Sequence, residues 1–228
     1  MNHSSVTGLG SHGCLCFVIC TASMNSPVLL ALEERRTTNL YDASHSIDDA
    51  QIHELVRLAT KAPTSFNLQN WRFIAVRTPD AKARLRALAW DQAKVTDASV
   101  TFIVCGQLAD HSVLPERLAP AVEAGFIPPA LLAVLEGAAK GLYAGQPQLQ
   151  HDEAIRSATF GASALMMAAQ AMGWGSTPMI GFDGPAVAQA FGLADNEVPA
   201  LLVAVGAALP ENWPQKPRRP VEQVLELV

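Results

Sequence analysis

The chain has 228 residues, half of them apolar and 16% charged, and its formal net charge is −5. This composition excludes a disordered or collagen-like chain, and the length suits one large domain with a substantial core. The negative charge disfavours a protein that coats nucleic acid, and no apolar run reaches the roughly 20 residues that a membrane span needs.

The first 23 residues differ from the rest of the chain. Three of the four cysteines, Cys14, Cys16 and Cys20, lie in a short apolar stretch that no Lys or Arg precedes, so the charged start of a signal peptide is missing. We interpret residues 1–23 as a disordered arm or a mis-assigned extension, with Met24 as the true start, and residues 24–228 as one domain. Clustered cysteines are unlike a disulfide scaffold, and we therefore expect a cytoplasmic protein.

Two motifs in this first segment are interpreted as chance. Gly8, Gly10 and Gly13 spell the dinucleotide motif G-x-G-x-x-G, but only seven mostly polar residues precede them and the motif needs a strand there. His12 and the neighbouring cysteines match no standard zinc spacing, and we expect no metal site.

Hydrophobic spacing and capping residues predict the elements of the first half. In chain order they are a helix opened by Ser26 and Pro27, a helix from Ser46, with Asp49 in its capping box, to Pro63, a strand from Trp71 to Arg77, a helix opened by Thr78 and Pro79, and a strand from Val100 to Cys105. Because Cys105 lies in an apolar strand, we expect it in the core.

The second half is less regular. Residues 107–150 are interpreted as irregular and helical in part, with Pro128 and Pro129 breaking them. Residues 152–173 give the clearest helix, ended by Gly173; it is apolar nearly all round, so we expect it to be buried on all sides or to pack a subunit interface. A short helix at 185–191, ended by Gly192, a strand from Leu201 to Ala207 and a proline-rich tail at 210–220 follow. Strands and helices do not alternate strictly, which predicts a single α+β domain.

Four separate segments carry cationic or hydrogen-bonding side chains beside apolar elements. The segments at 35–39 and 216–220 contain adjacent cations that suit a phosphate group. The loop at 62–71 carries Thr, Ser, Asn and Gln, which form a polar cradle for a heteroaromatic ligand, and the glycines of 173–183 let a ligand approach the backbone. Each segment also has a plain alternative, namely a solvated helix end, a turn or a basic tail.

Together and in this order, the segments resemble the FMN-dependent nitroreductase family. The resemblance covers about residues 26–226. It is carried by Arg35-Arg36-Thr37, the run Ala62-Pro63-Thr64-Ser65-Phe66-Asn67-Leu68-Gln69-Asn70-Trp71-Arg72-Phe73, Thr96-Asp97-Ala98-Ser99, Pro178-Met179-Ile180-Gly181-Phe182-Asp183, and the late pair Lys216 and Arg218.

The resemblance implies an α+β fold with a central mixed β-sheet flanked by helices, in an intertwined homodimer that holds FMN at its interface. It also implies which residues contact FMN. One subunit would supply Arg35, Arg36, Thr37 and Asn39, with Lys216 and Arg218 near the phosphate, Asp91 and Lys94 at the flavin's polar edge, and Pro178, Met179, Ile180 and Gly181 with backbone near N5. The other subunit would supply Pro63, Thr64, Ser65 and Asn67.

The same resemblance implies an oxidoreductase. A hydride would pass from NADH or NADPH to flavin N5 and then, with ping-pong kinetics, to a small-molecule acceptor such as a nitroaromatic, a quinone or an activated alkene. The spacing of the histidines indicates no acid, base or nucleophile in the chain, so FMN would carry the chemistry. Lys94 is the expected stabiliser of the anionic reduced flavin. We expect no nucleic-acid or membrane partner.

Three residues depart from the family pattern. Asn39, Asn70 and Ile180 stand where the family often has a lysine, a proline and an acidic residue. Asn39 and Ile180 leave room for an enzyme of the same fold that dehalogenates aromatics or fragments flavin. A flavin-binding dimer without turnover is a further alternative. Within residues 107–150, Tyr143 or Phe126 is the expected cover of the flavin.

Overall fold

The structure, a computed structural model, describes residues 26–228. The interpretations of residues 1–23, including the start at Met24, lie outside the described residues. The described helices are α1 (Pro27–Glu34), α2 (Asp49–Ala59), α3 (Pro79–Leu88), α4 (Lys94–Asp97), α5 (Leu114–Glu123), α6 (Pro129–Tyr143), α7 (Pro147–Ala171) and α8 (Gly184–Ala190). The strands are β1 (Trp71–Val76), β2 (Val100–Gln107), β3 (Gly175–Met179) and β4 (Glu197–Gly206).

The four strands form one sheet in the order β1-β2-β4-β3, which confirms the α+β class. All three strand pairs are antiparallel. The parallel component of the predicted mixed sheet is limited to a single bridge between Thr37 and Ser176 at the outer edge of β3. The segment between α1 and α2 therefore extends the sheet beyond β3.

The core lies on both faces of the two central strands. On one face, Phe102 and Val203 pack with α2 and α7. On the other face, Ile103 and Leu202 pack with α3, α4 and α8. Because both faces of β2 and β4 are covered, these strands are continuous apolar runs rather than alternating ones. Cys105 is fully buried in the second cluster, as predicted.

Helix α7 is longer than predicted, beginning at Pro147 and running for 25 residues. Its small residues Ala154, Ala158 and Ala162 face the core, whereas Phe160 is 48% exposed, so in a single chain the helix is buried on one face only. The helix ends as predicted at Gly173, with φ of +81°. There the N–H of Trp174 donates to the Ala169 carbonyl at 2.8 Å and the N–H of Gly173 donates to the Gln170 carbonyl at 3.1 Å, which is a Schellman motif.

Several predicted boundaries were wrong. Helix α2 begins after Asp48, not at Ser46, because the capping box consists of Asp48 and Gln51. Residues 107–150 are mostly helical, and Pro129 lies in the first turn of α6 instead of breaking a helix. Proline favours that position because its missing N–H has no helical partner there. Strand β3 was missed altogether.

Helices α5 and α6 form a small unit with its own apolar cluster. Leu114, Leu118, Ala139 and Tyr143 pack there against Leu68, which belongs to the loop before β1. This packing joins the loop to α6. Within residues 26–228, no helix is long and apolar enough to cross a membrane, and no three His, Cys, Asp or Glu side chains cluster as a metal site would require.

Candidate functional site

The arginine segment lies along the free edge of β3. Thr37 bridges to Ser176, and the N–H of Thr38 donates to the Ser176 carbonyl at 3.1 Å. A Cβ at Gly175 would overlap the buried side chain of Thr38, so glycine is required for this close approach. The backbone that carries Arg35 and Arg36 is thereby fixed to the sheet.

The proline-rich tail crosses the same segment. The side-chain oxygen of Asn212 accepts from the N–H of Asn39 at 2.7 Å and from the N–H of Leu40 at 3.0 Å, and its amide donates to the Leu40 carbonyl at 2.7 Å. Gln215 donates to the Arg35 carbonyl at 3.0 Å. These contacts bring the tail cations to the arginines.

Lys94, at the start of α4, reaches this region from the other side. Its amino group lies 3.5 Å from the side-chain oxygen of Asn39. Burial and then the nearby charge of Lys216 lower the pKa of Lys94. We define the cationic surface as Arg35, Arg36, Lys94, Lys216 and Arg218. Across residues 26–228, none of these five forms an ion pair, whereas other arginines such as Arg72 do.

A turn beside α4 contacts the backbone that was predicted to face flavin N5. The amide of Gln92 donates to the Gly181 carbonyl at 2.8 Å, and a Cβ at Gly181 would lie 2.7 Å from the Trp90 ring. Trp90 and Asp91 both have positive φ, of 53° and 54°. Such backbone is strained for these residue types, so the turn has one well-defined shape.

The predicted residues in and beside this turn differ in which of their groups are accessible to a ligand. The Ile180 side chain is 83% exposed, and Pro178 is also exposed. Met179 is buried in the core, so only its backbone is available to a ligand. The carboxylate of Asp91 is exposed and pairs with Arg86 at 2.7 Å.

The loop with the remaining predicted residues has an unusual backbone. Phe66, Asn67 and Gln69 have φ of 51°, 58° and 48°. The hydroxyl of Thr64 accepts from the N–H of Gln69 at 3.0 Å. The hydroxyl of Ser65 lies 2.8 Å from that of Tyr143. Pro63 and Asn67 are exposed at the surface.

The structure does not bring the two halves of the predicted set together in one chain. The cationic surface lies beside β3, and the loop at 63–67 precedes β1, at the opposite edge of the four-stranded sheet. Three strand spacings separate β1 from β3, or about 14 Å. In the single chain the two halves of the predicted set are therefore separate surfaces.

Sequence reasoning missed three residues that contact the backbone of the candidate site, and it expected a different role for a fourth, Tyr143. Asn212, Gln215 and Gln92 bind backbone far away in sequence, and no local pattern marks them. Tyr143 was predicted to cover the flavin, yet it is 3% exposed and its hydroxyl binds the loop through Ser65. Phe126 is 82% exposed.

Comparison with known proteins places this geometry in a family. The sequence profile of the nitroreductase family matches residues 32–207. The chain belongs to the nitroreductase family. DrgA of Synechocystis is 37% identical to this nitroreductase-family chain over 191 residues, which cover 82% of this chain and 87% of DrgA.

Two further relatives carry informative names. YodC of Bacillus subtilis, named as a candidate NAD(P)H nitroreductase, is 30% identical over 178 residues, which cover 78% of this chain and 88% of YodC. A candidate nitroreductase of Exiguobacterium sibiricum, solved in complex with FMN, has a TM-score of 0.81 and 27% identity, with 88% of this chain and 97% of that chain covered.

Proposed function

We propose that the chain is an FMN-dependent NAD(P)H oxidoreductase that works as a homodimer. The observation that carries the proposal is the cationic surface. Its five cations have no acidic partner in the described part of a chain whose net charge is −5. Unpaired guanidinium and ammonium groups of this kind suit a phosphate. The FMN complex of the Exiguobacterium relative supports FMN as the group that carries it.

The residues present fit FMN in charge and in hydrogen-bonding chemistry. Arg35, Arg36, Lys216 and Arg218 would bind its phosphate, with Thr37 beside them. Asn39 and Lys94, 3.5 Å apart, offer donors to a polar ring edge. The backbone at Ile180 and Gly181, held by Gln92, offers close approach to a flat ring.

Two features support the homodimer. The loop at 63–67 lies at the opposite edge of the sheet from the cationic surface, so a partner's loop would complete each site. Large apolar side chains of α1 and of the C-terminal tail are exposed in the single chain, and burial of such surface drives association. They include Val28 (65% exposed), Leu30 (53%), Leu32 (54%), Val224 (64%) and Leu225 (54%).

When bound, FMN supplies the redox chemistry, a hydride accepted at N5 from NADH or NADPH and passed to an acceptor. The chain's part is electrostatic. Lys94 would stabilise negative charge at the flavin's polar edge, because its lowered pKa reflects a partly buried position in which a charge interaction is stronger than in water. Gln92 and Gly181 would keep the backbone at the reacting edge fixed.

Acceptors would be nitroaromatics, quinones or activated alkenes. The exposed apolar side chain of Ile180 beside the turn suits a flat, weakly polar molecule. If nicotinamide and acceptor use the same space in turn, initial rates against one substrate at several levels of the other give parallel lines. Intersecting lines would contradict this scheme.

Oxidation of NADH or NADPH also distinguishes the proposed function from its alternatives. A protein that binds FMN but oxidises neither NADH nor NADPH would favour dehalogenation, flavin fragmentation or a dimer without turnover. The cytoplasmic location expected from the cysteines stays a prediction.

A further inference from the structure

A buried carboxylate lies behind the loop at 63–67 and has no part in the proposed chemistry. Glu153, on α7, is only 3% exposed. Its Oε2 accepts from Arg156, whose side chain is 56% exposed, and its Oε1 accepts from the Ser157 hydroxyl at 3.1 Å. A buried carboxylate is unfavourable unless it is paired and hydrogen-bonded, so these partners account for its presence in the fold.

Tyr143 joins this carboxylate to the loop. Its hydroxyl lies 3.3 Å from Oε2 of Glu153 and 2.8 Å from Oγ of Ser65. The Phe66 ring meets the Tyr143 ring edge-on, with centroids 6.3 Å apart. Burial raises the pKa of Tyr143, so its hydroxyl keeps its proton at neutral pH.

The chemistry of the three groups fixes the sense of the hydrogen bonds. A carboxylate only accepts, and a phenol has one proton to donate. Glu153 is ion-paired with Arg156 and has no proton to donate, so the Tyr143 and Glu153 oxygens, 3.3 Å apart, would repel without the phenol proton between them. Tyr143 therefore donates to Glu153, and its oxygen accepts from the Ser65 hydroxyl at 2.8 Å. Ser65 then keeps its lone pairs for a donor on the other side of the loop.

The strained backbone explains why such support is needed. Three non-glycine residues with positive φ, Phe66, Asn67 and Gln69, lie within four positions. Each such conformation is unfavourable and persists only where the surroundings hold it. Tyr143 contacts the loop at its centre, through both Ser65 and Phe66.

We propose that Tyr143, anchored by Glu153, is a positioning residue that orients the Ser65 hydroxyl as an acceptor for a donor group of FMN. The inference rests on the proposed function, because it takes the loop at 63–67 as part of the FMN site. Tyr143 does not touch the cofactor; it acts through Ser65. The ligand chemistry is a ribityl hydroxyl or a ring N–H, either of which can donate to Ser65.

The test is a double-mutant cycle on FMN affinity. Full-length apoprotein is titrated with FMN for the wild type, Ser65→Ala, Tyr143→Phe and the double variant. Each single change should weaken binding by about fivefold to tenfold, which is the usual effect of losing one hydrogen bond. The double variant should bind about as well as the weaker single variant, because both changes remove one interaction. Unchanged binding by Tyr143→Phe, or single effects that multiply, would overturn the inference.

Changes at Glu153 give a second readout. Glu153→Leu removes the acceptor and should weaken FMN binding as Tyr143→Phe does, whereas Glu153→Gln, whose amide oxygen can still accept from Tyr143, should restore it. The matched control is Ser157→Ala, which removes a different hydrogen bond of the same carboxylate and should change affinity less than twofold. An equal loss in Glu153→Gln and Glu153→Leu would contradict the acceptor role. Wild-type apoprotein that binds no FMN would overturn the proposed function itself, whereas tight wild-type binding with no effect of Tyr143→Phe would overturn only this inference.

Discussion

At the scale of single residues, Lys94 carries the electrostatic part of the proposed chemistry. Lys94→Met removes the ammonium group and keeps the length of the side chain. We expect a more negative potential for bound flavin and reduction by NADH or NADPH slower by at least about tenfold, since the cation stabilises the reduced state. Anaerobic redox titration and stopped-flow absorbance measure both quantities.

The control for Lys94 is a lysine outside the cationic surface. Lys140→Met alters an exposed residue on α6 and should leave potential and rate unchanged. Equal values for the Lys94 variant and the wild type would remove the tuning role from Lys94.

Cys105 gives a prediction about reactivity. Burial, and then the charge of Glu197, raises the pKa of Cys105 to about 12, so at pH 8 the group is a thiol rather than a reactive thiolate. In a chain with Cys14, Cys16 and Cys20 changed to Ser, a thiol reagent at pH 8 should label nothing until denaturant is added. Rapid labelling of the native protein would contradict the burial of Cys105.

Residues of the site divide into two kinds by how well sequence predicts them. Arg35, Arg36, Lys216 and Arg218 stand out because charge is visible in the sequence, and the structure leaves them unpaired. Asn212 was missed and Tyr143 was given another role, because the residues they contact at the candidate site, Asn39 and Ser65, lie 78 or more positions away and the contacts exist only once the chain has folded.

At the scale of elements, the contact between β2 and α7 requires a glycine at position 106. A Cβ at Gly106 would overlap the backbone of Ala154, so the helix cannot pack on the strand without glycine there. We expect Gly106→Ala to lower the free energy of unfolding by about 2 kcal/mol or more, because backbone on both sides must shift. Urea unfolding at fixed protein concentration measures the change.

A second glycine supplies the matched control. Gly137 lies inside α6 with open space where its Cβ would be. Alanine has the better helix propensity, and Gly137→Ala should raise the free energy of unfolding by up to about 1 kcal/mol. If both variants lowered the free energy of unfolding by similar amounts, the effect at Gly106 would not be specific to the contact with α7.

Elements were predicted well where hydrophobic spacing is strong. Strands β1, β2 and β4 and helix α7 follow from apolar runs or helical periodicity. Strand β3 was missed because Gly175 and Pro178 are poor strand formers, tolerated here at the edge of the sheet. Residues 107–150 were misjudged because Pro115, Pro129 and Pro147 occupy first turns of helices, where sequence alone cannot distinguish a start from a break.

At the scale of the whole molecule, the proposed homodimer with its separated half-sites predicts that protomers complement each other. A chain with Lys216→Ala and Arg218→Ala should lose FMN, and so should a chain with Ser65→Ala and Asn67→Ala. A mixed dimer of the two holds one intact site, made from the unaltered half of each chain. Co-expression with two affinity tags should therefore recover about one FMN per mixed dimer.

The mixing experiment distinguishes sites shared between two chains from sites formed within one chain. If each chain formed its site alone, the mixed dimer would bind no FMN, and shared sites would be excluded. The proposed dimer rests on the family resemblance, and the only local pattern that points to a subunit interface is the nearly all-apolar helix predicted at 152–173. The strand order adds the physical reason, since it puts the loop at 63–67 and the cationic surface at opposite edges of one sheet.

The most direct test of the proposed function is the visible absorption spectrum of the purified protein, before and after NADH or NADPH is added without oxygen. We predict flavin bands that bleach on addition of the nicotinamide, which would establish a nicotinamide-oxidising flavoprotein. Flavin bands that persist would leave a flavin-binding protein without the reductase activity. No flavin bands, even after FMN is added back, would contradict the assignment of the cationic surface to FMN.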